Sequence, residues 1–201
     1  MKNLSTTQQY FLCILKKNGK ISSLGMEKTT CLAASAVVEL LMDDILIFSG
    51  KKLSIQAALP ENKSYLHQVY DVVMKKQPVK FENVVECFSF NFTDKYINAL
   101  VEDLGESLAN MGCVQKAKGG FMNGKNIYIP NEDDVDHIVQ NIRAELLEDG
   151  EISEDIVVLT ALLNKSRDLQ RYFSSYEKQA LKKRLDEIKE NPKNELIHKA
   201  T

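Results

Sequence analysis

Cys13, Cys31, Cys87 and Cys113, with His67, His137 and His198, are the side chains of widest chemical range in this 201-residue sequence. Their spacing excludes most of that range. No two cysteines stand closer than 18 residues, so there is no C-x-x-C redox pair and no zinc knuckle. The histidines form no H-E-x-x-H or H-x-x-x-H pattern. Each cysteine has apolar neighbours, and small buried thiols are the expected result. The sequence therefore predicts no metal site, no cofactor and no Cys–His nucleophile pair. It also lacks a G-x-S-x-G elbow and a phosphate-cradling glycine loop. Gly119, Gly120 and Gly124 are clustered, but no helix follows at once to supply the N-terminus that holds phosphate, so they read as a turn. Asp43-Asp44 reads as a helix end rather than a cation site. No catalytic residue is assigned, and the chain reads as a non-enzyme.

What remains is charge beside apolar surface. Residues 112–130 hold Lys116, Lys118 and Lys125 and no acid, with Phe121 and Met122 between them. A lysine near an anionic leaflet gains about 1 kcal/mol, and burying a Phe or Met side chain gains roughly 1.5–3 kcal/mol. Immobilisation and ordering oppose these gains. The balance fits weak, reversible membrane contact by a monomer, strengthened if several copies act together. The alternative is that Phe121 and Met122 fold back or pack on another copy. Residues 131–155 hold ten acids and one base, Arg143, so that segment is −9 and the remainder +7 within a net charge of −2. An interaction module that uses this acidic block and the hairpin, with no lipid role, is the second reading.

These residues need elements to place them. Apolar residues at Tyr10, Phe11, Ile14 and Leu15 predict a helix over residues 6–16, ended at Asn18-Gly19. Residues 29–42 read as a helix buried on most sides. Residues 45–48 and 53–55 predict a hairpin around Ser49-Gly50-Lys51-Lys52. Pro60-Glu61-Asn62 is a loop, Ser64 caps a helix to Lys76, and Pro78 starts a short helix to about Phe88. Asn91-Phe92-Thr93 caps a long helix to Met111, whose stripe is Tyr96, Leu100, Leu104, Leu108 and Met111, and Gly112 stops it. Residues 113–116 and 125–129 predict a second hairpin. Three helices follow, over 132–147, from Ser153 through the apolar run 156–163, and over 176–189. The expected architecture is a mostly α, single-domain helical bundle with two β-hairpins, over residues 1–190, with a tail at 191–201.

Composition agrees. With 44% apolar and 27% charged residues, the chain is of ordinary globular type, not disordered, collagen-like or disulfide-stapled. A chain of this size hides roughly 70% of its unfolded surface and needs no staple. No apolar run reaches the roughly 20 residues of a bilayer span, and residues 1–9 resemble no secretory signal. A cytoplasmic protein is the default. The order helix, helix, hairpin over residues 81–129 also matches a winged-helix DNA binder. The would-be recognition helix carries Asp94, Glu102, Asp103 and Glu106 against Lys95. Phosphates would repel it, so no nucleic-acid partner is expected.

Four stretches in order resemble the Golgi phosphoprotein 3 family, which includes bacterial members. They are Leu4-Ser5-Thr6-Thr7-Gln8-Gln9-Tyr10-Phe11-Leu12 with Gly19; Leu32 through Val38-Glu39-Leu40; Ser107-Leu108-Ala109-Asn110-Met111-Gly112-Cys113-Val114; and Leu159-Thr160-Ala161-Leu162-Leu163 with Leu169 and Phe173. The resemblance implies a mostly helical, non-catalytic peripheral membrane protein that recognises phosphatidylinositol 4-phosphate. It also implies a hairpin engaged in self-association and membrane contact, here residues 114–129. The family's head-group pocket uses a tryptophan and three arginines. By family position these fall on Leu24, Ala33, Asn98 and Val101, so the pocket chemistry is not kept. Three of the four offer no side-chain donor and Asn98 only a neutral one, where phosphate wants fixed cations. Lys165, Arg167 and Arg171 are the candidate replacements near Asn98. The partners implied are an anionic phospholipid or phosphoinositide and further copies of the chain. The family's basic N-terminal extension has no counterpart in a sequence whose domain starts almost at Met1, and no Golgi role is carried over.

Overall fold

The computed structural model describes residues 2–21, 26–89, 94–119, 124–148 and 152–189. Its centre is α1 (Thr6–Ile14), where Tyr10, Phe11, Leu12, Cys13 and Ile14 are all fully buried. A capping box opens it. The Ser5 hydroxyl accepts the Gln8 N–H, and the Gln8 side chain accepts the Ser5 N–H at 3.0 Å. α1 stops at Ile14, short of Lys16, because Leu15 bridges Ile21 across a turn in which Gly19 takes φ +72°. A Cβ at Gly19 would stand 3.0 Å from the Tyr128 backbone, so this turn also needs glycine for space.

Around α1 pack α2 (Met26–Met42), α5 (Lys95–Asn110), α6 (Glu132–Leu147) and α7 (Glu154–Lys165). The apolar run of α7 is buried from Ile156 to Leu163, which is why it shows no single stripe. Asn131 caps α6 and Ser153 caps α7 through side-chain oxygens. α8 (Ser175–Lys189) buries Leu181 and Leu185. The molecule is mostly helical, as the apolar periodicity predicts, with two small antiparallel sheets.

The first sheet is larger than its hairpin. β1 (Leu46–Ser49) pairs with β2 (Lys52–Ile55), and β3 (Val79–Lys80) adds to β2 with Leu53 opposite Val79 and Lys52 opposite Lys80. Pro78 therefore does not start a helix; two strand residues follow it and α4 spans Phe81–Ser89. The pairing partner lies far away in sequence, beyond the reach of local periodicity. Residues Glu61–Leu66 form a 3-10 helix, not a loop. The helix expected from Ser64 starts later, as α3 (His67–Lys76), because Ser64 lies inside that 3-10 turn and its carbonyl accepts from His67 Nδ1 at 3.0 Å. The cap expected at Asn91-Phe92-Thr93 and the tail at 191–201 lie outside the described residues. Cys13, Cys31 and Cys113 are buried, while Cys87 is only half-buried, at the α4 surface beside Lys76 Nζ.

Candidate functional site

The second sheet is the hairpin of β4 (Val114–Lys118) and β5 (Asn126–Pro130), with Lys116 opposite Tyr128 and Lys118 opposite Asn126. Helix α5 sets its position. Gly112 takes φ +68°, and the N–H groups of Gly112 and Cys113 return to the carbonyls of Ala109 and Leu108, a Schellman stop that turns the chain straight into β4. The hairpin then lies back along α5. Tyr128 is buried over Gly105, and a Cβ there would meet its ring at 2.3 Å. The Tyr128 hydroxyl donates to Glu106 at 2.8 Å, and burial, then this carboxylate, pushes the phenol well above its ordinary pKa.

The three hairpin lysines differ in state. Lys116 pairs with Glu106, whose carboxyl is held below the usual range chiefly by that ammonium and next by Tyr128. Lys118 donates to the Asn126 amide oxygen at 2.8 Å and Lys125 to the Asn98 amide oxygen at 3.2 Å. The latter two therefore face neutral acceptors. Asn126 in turn donates to Glu102. Phe121 and Met122 lie outside the described residues.

Of the positions the family resemblance singles out, Leu24 also lies outside the described residues. Ala33 is fully buried within α2 and presents no surface. Val101 is half-buried against the core. Asn98, in the first turns of α5, is the one that meets a cation, and that cation is Lys125. Of the replacements suggested from the sequence, Arg171 and Arg167 are engaged elsewhere. Arg171 donates to the carbonyls of Cys13 at 2.9 Å and Leu15 at 2.8 Å, closing the end of α1, and to the buried Asp168. Arg167 reaches Glu27 at 3.5 Å, and Lys165 is exposed at the end of α7.

A cleft of about 970 Å³ opens between the residues before α1, the 3-10 turn and α5. Its ionisable lining is Glu39, Asp43, Asp103, Glu106 and Asp155 against Lys63 and His67. A cleft of that sign repels phosphate. At its floor Glu39 is 4% exposed and accepts from the Thr7 N–H at 3.0 Å, the Tyr65 hydroxyl at 2.7 Å and Lys63 Nζ at 2.8 Å. Burial raises the Glu39 pKa, but the Lys63, Thr7 and Tyr65 bonds outweigh it and hold the carboxyl below its ordinary value. Sequence reasoning missed this cluster; the signal available was a lone Glu in the otherwise uncharged 29–42 run. Among the described residues no group of three or more His, Cys, Asp and Glu is placed to hold a metal ion. No described helix is long and apolar enough to cross a membrane.

A core helix wrapped by helices, with a hairpin laid along one of them, defines a compact α-helical class with a β appendage. The model of the Golgi phosphoprotein 3 (GPP34) family matches residues 7–201, and the chain belongs to that family. No curated protein matches it.

Proposed function

We propose that the chain is a non-catalytic, cytoplasmic peripheral protein that meets anionic lipid where the hairpin joins the start of α5. The Lys125–Asn98 contact carries this reading. It brings a cation to a position where the family resemblance expects a phosphate-binding arginine and the sequence supplies a neutral amide. Lys118 adds a second charge whose partner is also an amide. Lys116 contributes less, because Glu106 already neutralises it. With Ala33 and Val101 offering no donor, the attraction is to surface charge rather than to one head group, including the phosphoinositide of the family. Two such lysines supply about 2 kcal/mol, which fits reversible contact.

Co-sedimentation with phosphatidylcholine vesicles containing a quarter phosphatidylglycerol tests this at low salt. Wild type sediments, Lys118→Glu with Lys125→Glu weakens binding about tenfold or more, and Lys116→Glu has a smaller effect. Equal losses from all three, or none, contradict the reading. A self-association module is the second reading. It is favoured by the exposed acids Asp133 and Asp136 on α6, which have no ion pair among the described residues. Sedimentation velocity without lipid tests it: association that high salt removes supports it.

A further inference from the structure

The outer face of the first sheet carries a cationic cluster that forms no ion pair among the described residues. Strand alternation turns Leu46, Phe48, Leu53, Ile55 and Val79 to the core and puts Ile47, Ser49, Lys52, Ser54 and Lys80 on the other side. Lys52 and Lys80 are direct cross-strand partners, and both are exposed. Lys51 is exposed in the adjoining turn. Residues 45–60 contain no acid. Among the described residues Lys51, Lys52 and Lys80 make no ion pair. Like charges placed directly opposite destabilise a ladder, so folding alone gives no reason for this pair. Ile47 stands on the same face and is 46% exposed.

We propose that this face is a second docking surface for an anionic lipid leaflet, with Lys51, Lys52 and Lys80 among the head groups and Ile47 at the acyl boundary. The proposal rests on the peripheral-membrane reading but uses a surface remote in sequence from the 114–130 hairpin. Lipid is favoured over other anions by what surrounds the lysines. Among the described residues the strand positions of this face hold no aromatic side chain on which nucleic-acid bases could stack. It also lacks the packed apolar centre that anchors a protein partner.

Lys52→Glu gives the test two readouts. It turns a repulsive cross-strand pair into an attractive one, so the melting temperature rises by about 1–3 °C. At the same time, binding to phosphatidylcholine vesicles with a quarter phosphatidylglycerol falls roughly tenfold. Lys80→Glu, from the other strand, produces the same two changes and serves if the first variant misfolds. Lys118→Glu with Lys125→Glu is the comparison on the hairpin. Undiminished binding by both sheet variants, with loss in the hairpin variant, overturns the inference and leaves the hairpin reading standing. Absence of vesicle binding by wild type overturns both. Loss of salt-sensitive self-association in sedimentation velocity, with vesicle binding intact, assigns the face to a second copy of the chain and overturns the lipid assignment.

Discussion

Glu39 is the side chain on which the largest single-residue effect is expected. It is buried, ionised and held by three donors, one of them the charged Lys63. An uncharged amide in its place weakens all three bonds and leaves Lys63, half-buried beside it, with Asp43 at 2.6 Å as its one remaining carboxylate partner among the described residues. Glu39→Gln therefore costs about 2–3 kcal/mol at neutral pH, read from urea unfolding. The pH dependence has a definite sign. The folded pKa lies below the ordinary 4.5, so the stabilisation is present above that value and is lost as pH falls through the folded pKa. The gap between wild type and variant should close on acidification from pH 5 towards pH 3. A gap that is constant with pH would mean that the carboxylate charge has no part in holding the Thr7–Tyr65–Lys63 cluster.

At the scale of elements, the decisive contact is between α5 and the hairpin. Alanine in place of a helical glycine usually stabilises by up to about 1 kcal/mol. At Gly105 the added carbon would enter the Tyr128 ring, so Gly105→Ala should instead destabilise by about 1–3 kcal/mol. A stabilised variant in urea unfolding would show that the hairpin does not rest on α5. The elements also show how far the sequence could be read. The helix over residues 132–147, the Ser153 cap and the Gly112 stop were legible, because capping and termination are local chemistry. The third strand was not, since Val79 and Lys80 acquire strand character only from Leu53 and Lys52. The cationic face was hidden for the same reason: Lys51-Lys52 looked like turn residues until Lys80 was placed opposite. At the hairpin, the sequence singled out all three lysines but could not distinguish Lys116, neutralised by Glu106 on a neighbouring helix, from Lys118 and Lys125.

The whole molecule is weakly acidic, yet its charge is segregated. Acids gather on residues 131–155 and in the cleft by α1, while lysines with no ion pair among the described residues lie on the hairpin end and on the first sheet. Such segregation lets a protein of net charge −2 approach an anionic surface through its cationic faces. Exposed pairs are screened within about 10 Å at 0.1 M salt, so the approach must weaken steeply as salt rises. In the proposed function, surface charge and not a fixed head-group pocket directs the chain to lipid. Partitioning of the wild-type protein onto phosphatidylglycerol vesicles and onto phosphatidylinositol 4-phosphate vesicles, matched for surface charge and titrated with salt, measures this most directly. The account predicts equal binding to the two within about a factor of three, falling together with salt and absent on pure phosphatidylcholine. Strong preference for the phosphoinositide that persists at high salt, or no binding to either, would contradict it.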